Sequence, residues 1–215
     1  MSTIKTTNIQ HPSAVDPAIV LDADGDAVYA GVHDFTAATV TGAGGLRLVT
    51  PTSIANSGGS ASASGGAVTY SGVTSVSLNG VFSATYQNYT VVFSIVLAGG
   101  ADVFFRWRAA GTDASASNYV QQFSRALNTT FLGGLKTSTS VDTTVTGGTN
   151  SVYQGTVFAP FETNPTSHFY LCGSEAGVAN LTGRHSLSTS YDGLTFFTAS
   201  GTFSGTIRVY GNQNS

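Results

Sequence analysis

Charge is what this sequence has least of. Asp, Glu, Lys and Arg make up 9% of its residues, against roughly 25% in an ordinary soluble domain. The net charge is −3 and no run of Lys or Arg occurs, so nothing is present to neutralise a phosphate backbone, which argues against nucleic-acid binding. There is one cysteine, Cys172, which excludes an internal disulfide. It sits in the apolar stretch HFYLCG and reads as a small buried hydrophobe. No window approaches the roughly eighteen apolar residues that span a bilayer, and the run in YTVVFSIVLAGG has the length of a long strand; membrane insertion is not expected. The opening MSTIKTTNIQHPS has no apolar core of signal-peptide type, which predicts synthesis in the cytosol without standard export. Helical signals are nearly missing. VQQFSRAL is the one helix-compatible segment, and it is too short to carry weight.

What is present is neutral polarity and short apolar runs. Apolar residues reach 41% of the 215, enough for a core. DVFFRWRA puts Val103, Phe105 and Trp107 on one face and Phe104, Arg106 and Arg108 on the other, the period of a half-buried strand. YTVVFSIVLA is β-branched and aromatic and reads as a central strand buried on both sides. GTIRVYG alternates Ile207 and Val209 with Arg208 and Tyr210. TSVSLNGVFSATY, VYQGTVFAPF, SHFYLCG, RHSLSTSY and LTFFTAS continue the pattern. Eight to ten such segments from residue 67 onward predict an all-β fold, a jelly-roll-like β-sandwich.

Composition divides the chain into three zones. Residues 1–35 carry the prolines Pro12 and Pro17 and an aspartate-rich stretch, and predict an extended N-terminal arm with a β-hairpin. Residues 36–66 are rich in Gly, Ala, Ser and Thr and end in SIANSGGSASASGG. Alone, that segment buries too little to offset its ordering entropy; it reads as a linker or stalk, flexible or ordered against copies of itself. Residues 67–215 form the sandwich, or knob.

The stretch IVLDADGDAVYAG tests whether the chain binds calcium. An EF-hand loop from Asp22 needs Gly at position 6 and Glu at position 12. Those positions hold Ala27 and His33. A turn fits better: Asp24-Gly25 supplies the positive-φ residue of a tight hairpin between PAIVLD and DAVYAG. Other signatures also fail. GAGGLR has Arg47 where a dinucleotide fingerprint needs its last glycine. No GxSxG elbow and no HExxH occur. The four histidines are dispersed, without ligand spacing; a fold is needed to gather His168, His185, Ser186 and Asp192. Paired carboxylates of the kind a glycan-cleaving enzyme uses are not adjacent in sequence beyond residue 66. No enzyme, no cofactor and no metal are expected. The three Asn-x-Ser/Thr matches, at Asn88, Asn128 and Asn180, are expected by chance in so Thr-rich a chain.

The aromatic residues separate into two groups. Most Phe fall in strand runs and read as core. Tyr86, Tyr89, Tyr119, Tyr153 and Tyr191 lie beside Asn, Gln or Asp at strand ends, where an amphipathic ring suits an interface. Tyr119, Tyr153 and Tyr191 are therefore expected as surface contacts, to a subunit or to a glycan.

The N-terminal NIQHPSAVDPAIVLDADGDAVYAG resembles the opening segments of bacteriophage tail-fibre and head-fibre proteins, with a short I-x-H-P-S followed by an I-x-L-D-x-x-G hairpin. FRWRAAGTDASASNY, the Tyr191-Asp192-Gly193 turn and the terminal GTIRVYGNQ are similar in texture to the knobs of phage receptor-binding proteins. The resemblance implies a non-enzymatic virion protein, assembled in the host cytoplasm and usually a homotrimer. Its virion-anchoring segment is Ile9, His11, Pro12, Ile19, Leu21, Asp22 and Gly25. Its partners are other copies of itself, capsid or tail proteins, and a host-surface glycan or protein. Two alternatives remain open: a capsid decoration protein stabilising the shell, and a glycan-binding or glycan-degrading module on the same scaffold.

Overall fold

The computed structural model describes residues 8–9, 19–21, 27–28, 45–98, 102–127, 130–143, 150–175 and 177–213. The chain divides into two compact units, Met1–Ala43 and Gly44–Ser215.

The first unit holds a three-stranded antiparallel sheet of β1 (Asn8–Ile9), β2 (Ile19–Leu21) and β3 (Ala27–Val28). Val20 pairs with Val28 and Leu21 with Ala27, which is the hairpin expected from the sequence. Ile9, Ile19 and Leu21 lie in these strands. His11, Pro12, Asp22 and Gly25 lie outside the described residues, as does the rest of the aspartate turn.

The second unit is a 14-stranded, wholly antiparallel sheet folded over one core. Its strands are β4 (Leu46–Val49), β5 (Ser53–Ser64), β6 (Ala67–Asn79), β7 (Asn88–Ala98), β8 (Val103–Ala109), β9 (Thr112–Asp113) and β10 (Tyr119–Leu127). They continue with β11 (Thr130–Ser138), β12 (Val141–Asp142), β13 (Asn150–Phe158), β14 (Ser167–Ser174), β15 (Gly177–His185), β16 (Gly193–Thr198) and β17 (Thr202–Asn212). The fold is all-β and jelly-roll-like, as the strand pattern predicts. VQQFSRAL is not helical. It lies in β10, where Gln121 and Tyr119 point inward and Gln122 points out; ladders to both β11 and β15 override its local preference. RHSLSTSY is mostly loop, since β15 ends at His185.

The sheet becomes a sandwich at β6. Along one edge its first half, Val68–Val73, pairs with β17, and its second half, Ser75–Leu78, pairs with β16. The two partners continue into two walls: β17-β7-β13-β14-β15-β10-β11 and β16-β8-β12. Rings from opposite walls meet inside. Phe93 on β7 lies 4.7 Å from Phe196 on β16, and Phe105 on β8 lies 5.4 Å from Tyr170 on β14. The walls are also tied together by the buried Gln121 of β10. Its Nε2 donates to Asp142 O on β12 at 2.8 Å, and Asp142 N donates to its Oε1 at 3.0 Å. One side-chain amide thus satisfies both backbone groups of an edge residue, as a neighbouring strand would.

Glycine makes room for this core. On adjacent strands Gly155 faces Tyr170 and Gly183 faces His168. A Cβ at Gly155 would lie 2.2 Å from the Tyr170 ring, and one at Gly183 2.9 Å from His168 Nε2. Each ring therefore lies over a glycine on the neighbouring strand.

Of the linker expected at 36–66, residues 36–44 lie outside the described residues, and the remainder is mostly strand rather than linker. The second unit begins at Gly44, and residues 46–49 and 53–64 are strands. SIANSGGSASAS forms β5, paired along its length with β6. Its small side chains bury little, but β6 supplies hydrogen-bond partners from a β-branched, core-forming strand. Gly65 and Gly66, with φ of 54° and 85°, form the two-residue turn that fits the twist of such a hairpin. The segment is ordered by its own chain.

Candidate functional site

The fold gathers the residues that would carry chemistry, and commits most of them to packing. His168 lies inside, with Phe105, Trp107 and Tyr170 ringed around it at centroid distances of 5.5 to 5.8 Å. Neither of its ring nitrogens has a hydrogen-bond partner among the described residues. Burial pushes its pKa down to about 3, because a charged imidazolium has no partner there. His185 is also buried and its pKa is lowered for the same reason. Its Nδ1 is 2.7 Å from the Tyr191 hydroxyl. Ser186 donates its backbone N–H to Asn118 O, and Asp192 Oδ2 accepts from Ala110 N at 3.2 Å. Among the described residues His168, His185, Ser186 and Asp192 share no hydrogen bond: His185 Nδ1 is taken by Tyr191 and Asp192 Oδ2 by Ala110 N, while His185 Nε2 and Asp192 Oδ1 are buried without a hydrogen-bond partner. A neutral, enclosed His168 is a packing residue.

Tyr119, Tyr153 and Tyr191 are not surface contacts. All three are buried. Tyr119 donates to Ala114 O at 2.7 Å and accepts from Trp107 N at 3.0 Å. Tyr153 stacks on Phe93 at 4.4 Å with planes 7° apart. Tyr89 is buried too, its hydroxyl bridging Ser83 N and O. Neighbouring polar residues suggested exposure, but in the strands that hold Tyr89, Tyr119 and Tyr153 the adjacent residue faces the opposite way, while Tyr191, in the loop before β16, turns inward to His185. Cys172 is buried as expected, and burial pushes its thiol up to about 11, far from a reactive thiolate.

The carboxylates have local duties. Asp113 pairs with Arg108, whose guanidinium also donates to Asn79 Oδ1, Ser77 Oγ, Thr195 Oγ1 and Gly111 O. This network pins the β8–β9 turn, where Ala110 has φ 48° and Gly111 φ 78°. Asp142 pairs with Lys136 at 3.2 Å. Among the described residues no group of three or more His, Cys, Asp or Glu is placed to hold a metal.

The surface feature that stands out is apolar. On the outside of the β7-β13-β14-β15-β10-β11 wall, Val152, Phe169, Leu171, Val178, Phe131 and Leu135 are exposed. Three depressions open on this side. The largest, about 540 Å³, lies over Gly173 between Val152, Leu171 and Val178. The others, about 380 and 280 Å³, lie around Phe169 and Leu135. Sequence reasoning missed this face. Its trace is in NSVYQGTVF and SHFYLCG, where large apolar residues occupy both parities of the strand.

No family model matches this chain, and no curated protein matches it. Among solved structures, the laminarinase catalytic domain from Thermotoga maritima MSB8, in complex with cetyltrimethylammonium bromide, is similar over 72% of this chain and 81% of that one. The TM-score is 0.24 and the identity 8%. A likeness at that level leaves the function to be argued from this chain's own residues.

Proposed function

We propose that this chain is a fibre-type structural protein of a bacteriophage virion. Residues 1–43 attach it to the particle, and the sandwich of residues 44–215 faces outward for attachment to a host-surface glycan or protein. Copies associate, as a trimer in the simplest form. The chain assembles with other virion proteins in the host cytoplasm and catalyses nothing. The observation that carries this reading is the use of the reactive side chains. Among the described residues His168, His185 and Cys172 are enclosed, Asp113 and Asp142 pair with Arg108 and Lys136, and Asp192 accepts from Ala110 N through Oδ2, while the exposed wall is poor in charge and carries large apolar residues. Such a surface suits assembly better than turnover. The resemblance of residues 8–31 to fibre openings supplies the direction of attachment.

The test is the particle. Virions assembled with a chain lacking residues 1–43 are expected to lose it, while the 44–215 fragment retains a β-type circular dichroism spectrum. Incorporation of the truncated chain at the full-length level refutes the anchor. An antibody to the sandwich that labels no virion refutes the wider reading.

A further inference from the structure

We infer that the outer side of the β7-β13-β14-β15-β10-β11 wall is where one copy of this chain meets another. The inference rests on the self-association in the proposed function and gives it a location.

Strand register sets the pattern of this face. Val152, Gly173, Val178, Ala126 and Phe131 lie side by side across five strands, alternating large and small. The next row runs Gln154, Leu171, Asn180, Ser124 and Gly133 by the same pairings. Knobs therefore alternate with gaps along the first row, and the depression over Gly173 is one such gap. Val152, Val178 and Phe131 are 63%, 60% and 74% exposed, too open for residues of this size to be explained by the core they do not touch. Among the outward positions of these six strands, Arg184 is the one charged residue in the described part of the chain.

Charge and area choose the occupant. A partner of opposite charge has nothing to read here, and neither does a nucleic acid or an anionic surface. A glycan surface wants exposed Tyr or Trp with hydrogen-bonding side chains, and the exposed rings here are Phe. A second copy brings a face equally poor in charge, with Arg184 its one charged residue among those described, and its knobs can enter the gaps. The size also fits. Six strands about 4.8 Å apart, each with four outward residues about 6.8 Å apart, make a face of roughly 30 by 27 Å, about 800 Å². One partner of a standard interface contributes about that area.

The test is sedimentation velocity on the full chain at micromolar concentrations. The wild type and a Leu187→Lys control, whose change lies on an exposed loop, are expected to sediment as one discrete oligomer. Leu171→Lys/Val178→Lys is expected to sediment as a monomer with an unchanged circular dichroism spectrum. Should that pair disturb the fold, the milder Phe131→Ser/Leu135→Ser on edge strand β11 decides, with an expected rise of tenfold or more in the dissociation constant. A monomeric wild type overturns the inference, as does an oligomer that survives both double variants. A dimer supports this face and replaces the trimer. An oligomer that dissociates as expected, in a chain that labels no virion, keeps this face and refutes the virion reading.

Discussion

On β14 the inward residues are His168, Tyr170 and Cys172, and the outward ones are Phe169 and Leu171, 40% and 51% exposed. Both sets are apolar or aromatic. The two sides of one strand thus share a composition and differ in what covers them. The inner side is closed by the β16-β8-β12 wall, through Phe105 and Trp107 of β8. The outer side has no such cover among the described residues. In an isolated sandwich, alternation in a strand normally separates apolar from polar. Here it separates His168 and Tyr170, packed over glycines, from Phe169 and Leu171, which stay exposed. Polarity is not what distinguishes inside from outside on this wall.

The sharpest way to break the comparison is to truncate neighbours on opposite sides. Tyr170→Ala removes a buried ring that touches Phe93 and Phe105 and leaves a cavity over Gly155. It is expected to cost about 3–5 kcal/mol, read as a fall in the urea midpoint at unchanged slope. A cost below about 1 kcal/mol would mean that the core collapses freely around the site.

Next in size is the clamp between the walls. Gln121→Ala strands both backbone groups of Asp142, and the expected cost is about 2–3 kcal/mol. Amide hydrogen exchange gives the localised readout: Asp142 should exchange faster in the variant. Protection unchanged at Asp142 would show that the walls are held by packing alone.

Acid probes the inner side without a mutation. His168 has a folded-state pKa of about 3 against 6.5 when free. Between those values the unfolded chain binds a proton that the folded chain does not. Stability therefore rises with pH in that window and is lost on acidification, by about 1.4 kcal/mol per pH unit. From pH 6.5 to 5 the loss is about 2 kcal/mol, and His185, lowered in the same direction, adds to it. In His168→Phe the slope attributable to this residue should vanish, whatever the variant's absolute stability. An identical slope in both proteins would mean that the ring is protonated within the fold.

How much of this was readable beforehand follows the same division. DVFFRWRA placed Val103, Phe105 and Trp107 inside, and the structure agrees. Ile207 and Val209 are likewise inside and Arg208 and Tyr210 less so. Such segments are legible because one face is apolar and the other is not. YTVVFSIVLA is central, between β13 and β17, but is not buried on both sides: Val96 is 47% exposed. The continuous apolar run there records the uncovered outer face rather than a second layer of the same chain. β5 was illegible for the opposite reason. SIANSGGSASAS carries almost no side-chain signal, and its strand character comes from β6, the next strand along the chain, through backbone hydrogen bonds. The tyrosines were misplaced because adjacency in sequence was taken for adjacency in space. Where two parities point to opposite sides, a residue's neighbour says little about its own surroundings.

The smallest expected effect is the most discriminating. Leu171→Ala, one position from Tyr170, should change the stability of the dilute monomer by no more than about 0.5 kcal/mol, the ordinary range for a surface site. If the outer side is covered by another copy, that small number grows with protein concentration, because association stabilises only the folded chain. The wild-type melting temperature should then climb with concentration while that of Leu171→Ala lags behind, and the gap between them measures what the outer side contributes once covered. Parallel curves at all concentrations would show that Leu171 meets only solvent. The contrast between the two sides of β14 would then be one of burial alone, with no interface behind it.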